Sequence, residues 1–179
     1  MRPASCKLRL YRDWYYRIAA AFYRYKFVGA LLSNPKDVML TRVLIADEHP
    51  IACEGLTVHL EAQPGWSVVA ETHNGKDAVV KAIETKPDVV VLAYELPLLD
   101  GVETTRLLRA ELPDTEVLIF TIHNAENVLR YCLDAGARGF VLKSEPMSRL
   151  VEGVRMVAAH KPYFAPAGIE ETASSCRTL

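Results

Sequence analysis

From Val43 onward, short dense apolar runs alternate with longer stretches whose apolar residues recur every three or four positions. Val43-Leu44-Ile45-Ala46, Trp66 to Thr72, Asp88-Val89-Val90-Val91-Leu92, Val117-Leu118-Ile119-Phe120 and Gly139-Phe140-Val141-Leu142 read as strands. The third run is nearly all apolar, the composition of a strand covered on both faces of a parallel sheet. Between the runs, Ile51 to Ala62, the stretch opened by Gly75-Lys76-Asp77, Val102 to Leu112, Ala125 to Ala135 and Met147 to His160 read as helices. Pro113 stops the third helix and Gly136 ends the fourth. Five strand–helix units with short connections predict an α/β fold with a parallel sheet and right-handed crossovers. Functional groups of such sheets gather outside the carboxyl ends of the strands.

The residues that follow the strands are therefore the ones to inspect. They are Asp47-Glu48 after the first, Ala93-Tyr94-Glu95 after the third, Thr121-Ile122-His123 after the fourth, and Lys143-Ser144 after the fifth. Any one of these alone reads as a solvated loop residue. Together they place two carboxylates, a hydroxyl and an ammonium at one end of one sheet. Such oxygen-rich clusters suit Mg²⁺ with its waters and a phosphoryl group. A lysine supplies a point charge to a phosphate oxygen, and a threonine supplies a donor.

At this point a family resemblance appears. Leu44-Ile45-Ala46-Asp47-Glu48-His49-Pro50 resembles the acidic-pair motif of bacterial response-regulator receiver domains. Glu95-Leu96-Pro97-Leu98-Leu99-Asp100-Gly101 resembles their loop after strand three, and Ala135-Gly136-Ala137-Arg138-Gly139-Phe140-Val141-Leu142-Lys143 their fourth-helix end and fifth strand. The likeness covers about Thr41 to Ala165, and is nearest the subfamily that usually carries a C-terminal helix-turn-helix. It implies the flavodoxin-like receiver fold: a doubly wound five-stranded parallel sheet with flanking helices.

The resemblance also implies roles. Asp47 and Glu48 match the Mg²⁺-binding pair, and the backbone carbonyl of Glu95 a main-chain metal ligand. Thr121 matches the switch hydroxyl, Phe140 the switch aromatic, and Lys143 the phosphate-pairing lysine. Four residues before Pro97, where the family carries its phosphate-accepting aspartate, stands Ala93. A methyl group is no nucleophile, so aspartyl-phosphate chemistry cannot occur there. Glu95 and Asp100 are poor substitutes, because Asp100 suits the start of the third helix and Glu95 matches a variable position. With one carboxylate missing, Mg²⁺ is expected to bind weakly or not at all, and Lys143 to pair with Asp47 or Glu48.

Composition adds bounds. The 179 residues and 50% hydrophobic content suit one globular domain with extensions. Cys6, Cys53, Cys132 and Cys176 form no C-x-x-C pair, which argues for ordinary thiols in the cytoplasm. The five histidines share no metal-ligand spacing, and no glycine-rich phosphate loop is present. Residues 1–40 carry eight Lys/Arg against Asp13 and Asp37, a net +6, whereas the rest carries −7. The acidic domain lacks the positive charge that DNA binding needs. No run of about 18 apolar residues spans a membrane, and no signal-peptide pattern opens the chain.

In the 1–40 extension, Leu8, Tyr11, Trp14, Tyr15, Ile18, Phe22 and Tyr25 recur at helical steps, with most arginines off that stripe. A basic amphipathic helix of this kind suits membrane contact, a nucleic-acid arm, partner docking or packing on the domain, and a start at Met39 is a further reading. Residues 166–179 read as a tail, too short for the subfamily's helix-turn-helix. The expected function is a receiver independent of phosphorylation, not an enzyme, acting through protein contacts. Its surfaces would be the fourth helix, fifth strand and fifth helix, or the first and fifth helices. Its partners would be a second copy, another protein, or a histidine kinase or phosphorelay protein. The alternatives are a conventional phosphoacceptor with a substituted Ala93, and an α/β enzyme or nucleotide-binding protein reusing the site.

Overall fold

The computed structural model describes residues 40–165. The proposed N-terminal helix and the 166–179 tail lie outside them. The described chain runs β1 (Thr41–Ala46), α1 (Pro50–Glu61), β2 (Trp66–Thr72), α2 (Gly75–Thr85), β3 (Val89–Leu92), α3 (Gly101–Glu111), β4 (Glu116–Thr121), α4 (Glu126–Asp134), β5 (Gly139–Leu142), α5 (Met147–Ala158) and β6 (Tyr163–Ala165). All neighbouring strands pair in parallel, in the order β2-β1-β3-β4-β5-β6.

Period-two alternation explains the two layers of helices. In β1, Leu44 and Ala46 face one core while Val43 and Ile45 face the other. Val90 and Leu92 against Val89 and Val91 repeat this in β3. The first core takes Ala78 and Ala82 of α2, Val102 and Leu108 of α3, and Val128, Leu129 and Cys132 of α4. The second takes Cys53, Leu56 and Leu60 of α1 and Leu150, Val154 and Val157 of α5. Each fully buried aliphatic side chain contributes about 1.5–3 kcal/mol relative to exposure.

Local chemistry sets the helix starts. Asn74 accepts from the Asp77 N–H at 2.8 Å ahead of α2, and Asp100 accepts from the Glu103 N–H at 2.8 Å ahead of α3. Pro50 opens α1, where its missing N–H is harmless. Strand and helix limits fall within about two residues of the pattern-based ones.

Among the described residues the sheet has six strands rather than the expected five. Tyr163–Ala165 pairs beside β5, with Gly139 opposite Tyr163 and Phe140 opposite Phe164. Three residues after Pro162 are too few to show an alternation, so tertiary contacts define this strand. Tyr163 lies against Gly153, where an added Cβ would come within 2.9 Å of the ring, and its hydroxyl donates to Glu152 at 2.9 Å.

Candidate functional site

The strand order reverses between β2-β1 and β3-β4-β5, which opens a crevice at the carboxyl ends of β1 and β3. Asp47 and Glu48 leave β1 there, and Ala93 leaves β3 beside them, its N–H donating to the Ala46 carbonyl at 2.8 Å. Ala93 is buried. The first residue of α3 presses on it, since a Cβ on Gly101 would stand 2.6 Å from the Ala93 carbonyl oxygen. The position is thus enclosed and carries only a methyl group.

Asp47 is almost fully buried, and Lys143 reaches across from the end of β5 to place Nζ 2.5 Å from Oδ2. The other oxygen, Oδ1, accepts from the His49 N–H at 3.1 Å. Asp47 is one of the two partners expected for Lys143. The lysine backbone N–H donates to the Thr121 carbonyl at 2.6 Å, and Nζ stands 5.9 Å from the Phe120 ring centroid. Thr121 is buried, and its hydroxyl oxygen accepts from the His123 N–H at 3.1 Å.

Phe140 lies apart from these groups, buried in the first core. Glu48 and Glu95 border one open depression of about 380 Å³, with Tyr94, Leu96, Pro97 and Asp100. Glu48 Oε2 is buried and has no hydrogen-bond partner among the described residues.

Two features escape the sequence. His49 Nδ1 stands 3.4 Å from Asp47 Oδ1 and 3.3 Å from Glu48 Oε1, so a nitrogen donor joins the acidic pair. Its adjacency to Asp47-Glu48 in sequence was the available signal. His123 Nε2 lies 3.0 Å from Glu95 Oε1 and its ring meets Tyr94 edge-on at 5.6 Å, which ties the β3–α3 and β4–α4 loops together.

The Asp47 and Glu48 carboxylates suit a hard dication such as Mg²⁺ in kind. They suit it less well in number and freedom. Ala93 adds no oxygen, and Lys143 already engages Asp47 Oδ2. Nor does a neighbouring thiol or phenol replace the missing nucleophile. Burial, followed by the Asp47 charge, pushes the Cys53 thiol up to about 11. Burial, followed by the Asp100 charge, pushes Cys132 up to about 12. Burial also raises the Tyr94 phenol. All three stay protonated at neutral pH and are weak nucleophiles.

Comparison with known proteins places this geometry. The family model for the response regulator receiver domain matches residues 43–155. The transcriptional regulatory protein DegU of Brevibacillus brevis is 34% identical over 125 residues, which cover 70% of this chain and 53% of DegU. The chain thus spans about half the length of that relative. Among solved structures, a LuxR-family two-component response regulator from Aurantimonas sp. SI85-9A1 superposes with a TM-score of 0.70 at 34% identity, covering 75% of this chain and 96% of that one. The response regulator domain of Thermotoga maritima CheB gives a TM-score of 0.63 at 28% identity, covering 69% and 99%.

Proposed function

This chain belongs to the response-regulator receiver family, and from that premise we propose that it signals without phosphorylation, through protein contacts alone. It carries the receiver domain of a response regulator of two-component signalling. The observation that carries the proposal is the buried methyl group of Ala93 at the end of β3. Without a carboxylate there, no acyl phosphate forms, and the chain has no catalytic step of its own. The Lys143–Asp47 pair supports the same reading, because it holds the pocket in one arrangement.

Under this reading Thr121 and Lys143 line a phosphate pocket that is not charged by phosphate, and Phe140 is a switch aromatic held inward. Asp47, Glu48 and the Glu95 carbonyl bind Mg²⁺ weakly, in competition with Lys143. The module works in the cytoplasm; no helix among the described residues is long and apolar enough to cross a membrane. Its partner is a second copy or another protein, including a histidine kinase or phosphorelay protein. The contact uses α4, β5 and α5, or α1 and α5. Because β6 pairs along the outer edge of β5, contacts on that side fall on helix faces and on β6 itself.

The test is direct. Incubation with a small phosphodonor and Mg²⁺ leaves the intact mass unchanged; a stable gain of one phosphoryl group overturns the proposal. The second reading, an acceptor silenced by substitution at position 93, is favoured by the survival of Asp47, Glu48, Thr121 and Lys143 around Ala93. It predicts that Ala93→Asp gains one phosphoryl group under the same conditions. An inert Ala93→Asp shows that the pocket has lost more than its nucleophile.

A further inference from the structure

β6 is held by residues that precede the turn leading into it. The Tyr163 N–H donates to the Arg138 carbonyl at 3.1 Å, and the Tyr163 hydroxyl donates to Glu152 at 2.9 Å. Gly139 and Phe140 stand opposite Tyr163 and Phe164 along β5. The Tyr163 ring lies on α5 at Gly153, where an added Cβ would stand 2.9 Å from it. β5 and α5 thus form a seat shaped for an aromatic strand, and the strand lying in it shows what fits. Nothing in that seat requires its occupant to come from the same molecule; the turn alone decides that.

The turn is poorly suited to its reversal. Ala159, His160, Lys161 and Pro162 are all exposed, so burial does not hold them in place. α5 ends in a Schellman motif, with the His160 N–H donating to the Val157 carbonyl at 2.8 Å and the Lys161 N–H to the Met156 carbonyl at 2.9 Å. That motif needs a left-handed residue, normally glycine. His160 takes the conformation at a φ of 56°, where its Cβ crowds the backbone. Lys161 precedes Pro162, which steers it towards an extended course. One side-chain bond works the other way: His160 Nδ1 lies 2.8 Å from Oε1 of the buried Glu116 and holds the reversal. Short turns under strain of this kind invite an element to open and pair with another molecule.

We infer that two copies of this chain exchange β6, each laying Tyr163 to Ala165 along the β5 edge of the other. The occupant is a second copy because the seat already holds this chain's own sequence, and a second copy reproduces that fit residue for residue. His160 leaves the left-handed region, and Ala159 to Pro162 run extended between the two bodies. Tyr163 then meets Arg138, Glu152 and Gly153 of the second copy, so the contacts of the seat are kept while the crowding at His160 is relieved. Reciprocal exchange about a two-fold axis uses both seats and closes the assembly at two. The inference rests on the contact-based reading above and deepens it by naming the partner and the element that joins it.

The test uses the full chain with no phosphodonor present, so its failure is distinct from that of the phosphorylation reading, which is decided by mass. Sedimentation equilibrium is expected to show a reversible monomer–dimer equilibrium. Inserting three glycines after Lys161 lets the turn close freely and should weaken the dimer about tenfold. Deleting Lys161 shortens the turn and should tighten the dimer by about as much. Dimers formed from one isotope-labelled and one unlabelled copy should give nuclear Overhauser contacts between the Tyr163 ring of one molecule and Gly153 of the other. A chain that stays monomeric even when concentrated for spectroscopy, a dimer indifferent to both changes, or Tyr163–Gly153 contacts confined to single molecules each overturns the inference. If the deletion variant does not fold, the insertion and the labelled dimer still decide the matter.

Discussion

The two ends of the sheet each bury a carboxylate and treat it differently. At the amino end, Glu116 opens β4 and collects cations from three directions. Arg138 Nε and His160 Nδ1 each lie 2.8 Å from Oε1, and Arg109 Nη1 lies 3.2 Å from Oε2. Arg109 also donates to the Thr115 carbonyl at 2.8 Å. Burial would push the Glu116 carboxyl up, but the bonds from Arg138 and His160 and the charges of Arg138 and Arg109 outweigh it and hold it below its ordinary value. At the carboxyl end, Asp47 has Lys143 on one oxygen and His49 near the other, while Glu48 Oε2 has no donor among the described residues. At the amino end the Glu116 carboxylate is matched by cations of the same chain, which fasten α3, β4, β5 and the turn after α5. The carboxyl end leaves one carboxylate oxygen without a donor among the described residues.

The sharpest way to break this contrast is to remove the satisfied acid. Glu116→Leu leaves two partly buried arginines without their counter-ion, and a loss of about 3 kcal/mol is expected in urea unfolding. A loss below about 1 kcal/mol would mean that the amino-end network holds nothing. Next comes Lys143→Met, which strands the Asp47 charge and should cost about 2 kcal/mol. The same change frees Asp47 Oδ2, so calorimetry should show Mg²⁺ affinity raised several-fold; unchanged affinity would show that Lys143 does not compete for the site.

A smaller effect distinguishes the ends by pH. A carboxyl held below its ordinary value adds stability that is present above 4.5 and fades as pH falls through the depressed value. Wild-type protein should therefore lose stability on acidification below 4.5, and Glu116→Gln should lack that component. Parallel acid limbs in the two proteins would remove the basis for the comparison. The smallest effect is that of Leu98→Gly. Relief of the left-handed strain, about 1–2 kcal/mol, is offset by the greater freedom of glycine in the unfolded chain, up to about 1 kcal/mol. A net gain of about 0.5 kcal/mol in thermal unfolding is expected, and a loss would show that Leu98 packs on its own domain.

Much of the carboxyl end was legible in sequence, because its residues follow strands that announce themselves as apolar runs. Asp47, Glu48, Ala93, Thr121 and Lys143 could be placed at one end of a parallel sheet by counting from those runs, and a family motif located the missing nucleophile. The amino end was not legible. Arg109, Glu116, Arg138 and His160 sit on four separate segments with no spacing rule, and only the packed sheet joins them. The positive φ at Leu98 was hidden for another reason: the residue type argues against that conformation, so only the backbone reveals it. β6 escaped because three residues cannot display a period.

That sixth strand also bears on how the protein behaves when concentrated. Open sheet edges are templates on which further chains add, and short edge strands blunt them. Among the described residues, β6 offers three residues along one rim and β2 seven along the other. Ordered self-association by edge growth, or fibril seeding from a partly opened molecule, would therefore start on the β2 side. Glu71, whose carboxylate accepts from the Thr57 hydroxyl of α1, is the charged residue of that strand.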